Sequence, residues 1–140
     1  MINCPGCMHR KEKDLTEEDR RTEKRKIGDK GEDLACRYLT GRGYVICDRN
    51  FSCKMGEIDI VAADISKGII CFVEVKTRKN TDFGQPCQAV DRKKQHKLKR
   101  TAEYYLMTRK EYSSLQPRMD IAEILHTDEG WYIRVTENAF

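Results

Sequence analysis

The sequence predicts a layered fold of the α/β or α+β class, built as one domain. Three observations lead there. The chain has 140 residues, the size of one domain. Apolar residues recur at helical spacing in two stretches, and five short runs have strand character. Their order is helix, three strands, helix, two strands.

Residues 1–26 differ from the rest. After Cys4-Pro5-Gly6-Cys7 the stretch from Arg10 to Lys26 is almost wholly charged, with Leu15 its one large apolar residue. It is expected to be a flexible arm that gains helix near its end. From Ile27 the pattern turns helical through Gly31, Leu34, Ala35, Tyr38 and Leu39, and stops at Gly41-Arg42-Gly43. The remaining chain, 27–140, is expected to form the domain. Tyr44–Cys47 reads as a short strand, and Gly56–Ala63 and Ile69–Lys76 as two stronger ones. Thr77–Pro86 reads as a polar loop and Gln88–Thr108 as a long helix with Val90, Leu98, Ala102, Tyr105 and Leu106 on one face. Asp120–Leu125 and Trp131–Thr136 form a last strand pair around Asp128-Glu129-Gly130.

Composition narrows the classes. Apolar residues make up 39% and charged residues 36%, which implies a compact core under a densely charged surface. Lys and Arg number 27 against 23 Asp and Glu, so the net charge of +4 is a mild excess and the placement of the bases matters more. No run approaches the roughly 18 apolar residues that span a membrane. The charged N-terminus lacks the apolar segment of a signal peptide. A cytoplasmic protein without membrane partners is expected. Seven cysteines, an odd number, then read as free thiols. Cys36, Cys47 and Cys71 fall in apolar patterns as core or half-buried residues. Cys4 and Cys7, followed by His9, have the spacing of half a zinc site. No fourth ligand is evident. A homodimer sharing two arms would complete such a site, but two reduced thiols are the simpler account.

The chemistry concentrates in Gly56-Glu57-Ile58-Asp59-Ile60 and Val73-Glu74-Val75-Lys76. Side chains alternate along a strand, so Glu74 and Lys76 share a face about 6.6 Å apart. An antiparallel pairing of 59 with 74 places 64 opposite 69 and leaves a four-residue loop, Ile65–Gly68. In this register Asp59, Glu74 and Lys76 point to one face. Ile58, Ile60, Cys71, Val73 and Val75 point to the other and form core. Mg²⁺ prefers hard carboxylate oxygens and keeps several waters. Asp59 and Glu74 would hold it, or Mn²⁺ in its place, with the Val75 carbonyl as a third ligand. Lys76 would orient the attacking water and compensate charge on a phosphate. The same residues on a surface hairpin would make only an ion pair, and the spacing alone is a common pattern in charged chains.

On the first helix Gly28, Glu32, Ala35 and Leu39 lie along one line. Glu32 therefore sits at the edge of the buried face, where a carboxylate needs a partner, a metal or an outlet to solvent. In the second helix Arg92, Lys93, Lys94, Lys97, Lys99 and Arg100 form a basic run, most of it a solvated face. Lys94 shares its line with Val90 and Leu98 and points toward the body of the protein. With Gln88 one turn earlier, and Arg78 and Lys79 after the third strand, Lys93, Lys94, Lys97 and Arg100 make a basic rim suited to phosphate backbones.

Several motifs recur in order: Gly28-Asp-Lys-Gly31-Glu32-Asp-Leu-Ala35, Tyr44, Asn50, Gly56-Glu57-Ile58-Asp59 and Phe72-Val73-Glu74-Val75-Lys76-Thr77-Arg78. Phe83-Gly84 with Pro86, Ala89-Val90, Lys94, Arg118-Met-Asp120 and Asn138-Ala139-Phe140 follow. From about Ile27 to Phe140 the chain resembles the YraN-like family of small bacterial proteins. The resemblance implies an α/β, restriction-endonuclease-like mixed sheet flanked by helices, close to archaeal Holliday-junction resolvases, with a PD-(D/E)XK active site. That site comprises a helix Glu, a strand-end Asp and Glu-x-Lys, which match Glu32, Asp59, Glu74 and Lys76. Ile58 stands where the superfamily usually has Pro. The function expected is metal-dependent hydrolysis of phosphodiester bonds in DNA, with branched or flapped structures among the candidate substrates. The alternatives are a nucleic-acid-binding module with an idle site and a protein-interaction scaffold.

Overall fold

The structure, a computed structural model, describes residues 16–79 and 90–140. Its elements are α1 (Glu17–Gly41), β1 (Val45–Cys53), β2 (Gly56–Asp64), β3 (Ile69–Arg78), α2 (Arg92–Thr108), a 3-10 turn at Lys110–Tyr112, β4 (Gln116–Thr127) and β5 (Gly130–Thr136). The five strands form one mixed sheet in chain order, β1-β2-β3-β4-β5. Only β3 and β4 pair in parallel, which requires the crossover through α2. This is the flanked mixed sheet expected of a restriction-endonuclease-like fold.

The helices cover opposite faces of the sheet. Ala35 and Leu39 of α1 pack with Ile60, Ala62, Cys71, Val73, Ala122 and Ile124. Leu98, Ala102 and Tyr105 of α2 pack with Val61, Ile70, Phe72, Met119 and Ile121. Alternation along β3 sends Ile70 and Phe72 to one cluster and Cys71 and Val73 to the other. Burial pushes the Cys71 thiol up to about 12, so it stays protonated and inert.

Element boundaries depart from expectation in several places. The first helix begins at Glu17, ten residues before Ile27, because Thr16 and Asp19 form a reciprocal capping box. Residues 17–26 are thus helical, while residues 1–15, with Cys4, Cys7 and His9, lie outside the described residues. β1 extends to Cys53, held by pairing with β2 and interrupted by a register shift between Ile46 and Asp48. Thr77 and Arg78 belong to β3, since the parallel ladder continues to Arg78↔Leu125. α2 starts at Arg92, because the Asp91 carboxylate accepts the Lys94 N–H at 2.8 Å and caps the helix there. Gln88 lies outside the described residues.

Two of the sequence motifs turn out to hold the C-terminus. Asp120, fully buried, takes Arg118 through both oxygens at 2.9 and 2.8 Å and also accepts the Asn138 N–H at 3.0 Å. Arg118 donates onward to the Tyr44 hydroxyl, and the Ala139 N–H bonds to the Met119 carbonyl. These ties pair the buried Asp120 charge and dock the Asn138–Phe140 segment on the α2 side, where Phe140 packs.

Gly31 explains the Gly-Glu motif. A Cβ there would run into the Thr77 hydroxyl on β3, so α1 approaches the sheet only because this residue has no side chain. Gly31→Ala is expected to lower stability by about 1–3 kcal/mol despite the better helix propensity of Ala. A thermal melt checks this, and adding Thr77→Ala should restore most of the loss.

Candidate functional site

The β2–β3 hairpin has the register that the sequence implied: Asp64 pairs with Ile69 and Ile60 with Val73, leaving Ile65–Gly68 as the loop. Beyond Ile60 the regular ladder stops, and the Asp59 carboxylate accepts the Val75 N–H at 2.8 Å. A side chain replaces a backbone acceptor, and the strands part around it. One expectation fails here. Ile58 packs in the α2-side cluster, not with Ile60 and Val73, because the alternation does not carry through the point where the ladder ends.

Asp59 consequently lies between two cavities. One, about 470 Å³, has Glu74, Asp91, Lys93, Lys94 and Lys97 in its wall. The other, about 570 Å³, lies on the α1 side and includes Glu32, Val75, Thr77 and Lys79. Asp59 and Glu74 lie side by side in the wall of the first cavity, near enough for the Glu74 charge to act on Asp59. Glu74 is buried, with the Lys94 amine 2.5 Å and the Lys76 amine 3.4 Å from the same oxygen. Burial would lower Lys94, but its bond to Glu74 overrides that and raises it, so the cation is secure.

The structure thus brings Asp59, Glu74, Lys76 and Lys94 together and sets Glu32 beside Asp59 from the α1 side. Burial raises Glu32 above the usual carboxylate range, opposed by Asn50 and Arg49. The Asn50 amide, turned with its nitrogen toward Glu32, lies 3.2 and 3.3 Å from the two oxygens, and Arg49 approaches to 3.7 Å. Asn50 does this from a left-handed conformation, φ 52°, which Asn tolerates better than most residues. Arg49 and Asn50 are partners of Glu32 that spacing could not show, because the left-handed backbone at Asn50 lies inside β1 and departs from regular strand geometry. Of the basic residues, Arg78 leans toward the buried Glu123 at 3.9 Å, and Arg100 is exposed and lines neither cavity.

Burial, then the charge of Glu74, pushes Asp59 up to about 7 in the cation-free chain. The folded form therefore binds this proton more tightly than the unfolded chain, whose carboxyl titrates near 3.8. Native stability should fall as pH rises between these values. Melts in chelator across that window are expected to show the fall, and Asp59→Asn should flatten it.

Asp59, half-buried on β2, and Glu74, buried on β3, adjoin on inner strands of the sheet; they are hard donors whose mutual repulsion a divalent cation relieves, so the residues fit Mg²⁺ or Mn²⁺. Among the described residues no three His, Cys, Asp or Glu side chains converge on one point. A cation here would rest on Asp59 and Glu74, with backbone and water completing its shell.

The model of "Uncharacterised protein family UPF0102" matches residues 31–124. The chain belongs to this family. UPF0102 is the YraN-like family that the motifs indicated. A UPF0102 protein of Clostridium botulinum (strain Loch Maree / Type A3) is 41% identical over 116 residues, covering 81% of this chain and 93% of its own. Another, from Caldanaerobacter subterraneus subsp. tengcongensis, is 43% identical over 105 residues, 75% of this chain and 84% of that one. A third, from Desulforamulus reducens, is 38% identical over 108 residues, 77% and 88% of the two chains. Glu32, Asp59, Glu74, Lys76 and all of α2 fall within the UPF0102 match, and α1 up to Lys30 precedes it. No helix among the described residues is long and apolar enough to cross a membrane.

Proposed function

We propose that this chain is a metal-dependent phosphodiesterase acting on DNA, with Asp59, Glu74 and Lys76 at its centre. The observation that carries the reading is the juxtaposition of Asp59 and Glu74 in one cavity wall where the β2–β3 ladder ends, with the Lys76 amine 3.4 Å from Glu74. Asp59 and Glu74, with the Val75 carbonyl, would hold Mg²⁺ or Mn²⁺. When bound, the cation supplies Lewis acidity toward a phosphoryl oxygen and a more acidic water. Asp59 is oriented for this by the Val75 N–H, which fixes one carboxylate oxygen. Lys76 orients the attacking water and offsets charge that develops on the phosphate. Lys94, Lys93 and Lys97 line the α2-side cavity and take the phosphate backbone there. Glu32, held by Asn50 and Arg49, adds negative charge on the opposite side of Asp59.

One observation favours the second reading, a binding module with an idle site. Lys94 already neutralises Glu74 at 2.5 Å, which lowers the need for a cation. A cleavage screen over duplex, single-stranded, flap and four-way-junction DNA, with Mg²⁺ and Mn²⁺, decides between them. Cutting of at least one substrate supports the enzyme. Binding without cutting on every substrate supports the module.

A further inference from the structure

We propose that the N-terminal half of α1 is the second wall of the nucleic-acid cleft, with Arg20 and Lys24 on the phosphate backbone at the side of Asp59 away from α2. This rests on the reading of Asp59 and Glu74 as a phosphodiesterase centre.

Gly31, Ala35 and Leu39 are the buried line by which α1 packs on the sheet. Three- and four-residue steps backwards along that line give Ile27 and Gly28, then Lys24 and Glu23, then Arg20. All five line the 570 Å³ cavity that also contains Glu32, Asp59 and Lys79. The face that buries itself against the sheet farther on thus continues over the cavity. Arg21 and Arg25 are exposed and do not line it.

Charge and reach point to a polyanion. Arg20, Lys24 and Lys79 are the exposed bases of the cavity lining, while the acids Glu32 and Asp59 in it are partly buried. Among the described residues Glu23 is the one exposed acid of the lining, and the Lys26 amine lies 3.6 Å from it. At about 1.5 Å per residue, Lys24 and Arg20 stand roughly 12 and 18 Å along the helix from Glu32. At about 3.4 Å per nucleotide of a strand, this spans roughly four to five steps. Asp59 borders both cavities, so a strand crossing it meets Lys93, Lys94 and Lys97 on one side and Lys24 and Arg20 on the other. The UPF0102 match starts at Gly31, so this wall belongs to the part of the chain that the family model does not include.

The test compares charge-reversed forms of the full chain, in chelator, on a fluorescent DNA duplex and a labelled single strand. Affinity is read by anisotropy from about 50 to 200 mM salt. Arg20→Glu with Lys24→Glu should bind roughly tenfold more weakly, and its salt slope on duplex should fall by about two. Arg21→Glu with Arg25→Glu, the same charge change on the same helix, should stay near wild type. Lys93→Glu with Lys97→Glu reports the α2 side. If both α1 pairs behave alike while the α2 pair weakens binding, the second wall is refuted and the site reading stands. If wild type binds neither probe, both fall. Circular dichroism confirms that the helix persists in each variant, as expected for exposed positions.

Discussion

Lys76→Ala is expected to keep the fold and the divalent-cation affinity yet lose about a hundredfold to a thousandfold in single-turnover cleavage. The side chain is one-third exposed and packs in no core cluster, so its removal opens no cavity. Glu74 would not be left as a bare buried charge, because Lys94 stays 2.5 Å away. An ammonium has donors and no lone pair, so Lys76 cannot itself be a ligand. Losing its positive charge should leave cation binding equal or slightly stronger. The rate falls because the attacking water loses its orienting partner and the phosphate loses a compensating charge. Calorimetric titration of the cation beside single-turnover cleavage separates these effects. Equal cleavage by Lys76→Ala and wild type would remove Lys76 from the mechanism.

Asp59→Asn should behave differently, losing cation affinity and cleavage together. The amide oxygen can still accept the Val75 N–H, so the parting of β2 and β3 is retained. Its neutral oxygen is a poor ligand for a hard divalent ion. Loss of a direct ligand should exceed the tenfold to roughly hundredfold typical of outer partners. Without the repulsion between Asp59 and Glu74, the variant should also be more stable than wild type in chelator near neutral pH. A gain in melting temperature beside a loss of cation binding is a signature that general damage to the fold would not produce.

Much of this site was legible in the sequence because strand parity is strict. The separation of Asp59 from Glu74 and the turn residues around Ser66 and Gly68 are enough to set the hairpin register. Helical spacing likewise pointed Lys94 inward, where it meets Glu74. What parity could not show is where a strand stops being regular. The ladder ends after Ile60, and Ile58 changes sides, because the Asp59 side chain takes a backbone bond. The left-handed Asn50 and the Glu32–Asn50–Arg49 contacts depend on tertiary placement and have no local pattern. The capping box at Thr16 and Asp19 was readable, but the dense charge of the following turns obscured a helix that faces the sheet only from Ile27 onward. The spatial order of the strands, with β4 parallel to β3, required the crossover to be seen.

Asp59 and Glu74 with Lys76 are proposed to form a phosphodiesterase centre. The most direct test is single-turnover cleavage of the DNA panel by wild type and Asp59→Asn, purified side by side, with Mg²⁺ or Mn²⁺ and with chelator. Wild type should cut at least one structure, and only with the cation, while Asp59→Asn should stay at background. Wild type that cuts nothing, or Asp59→Asn that cuts as fast as wild type, would contradict it.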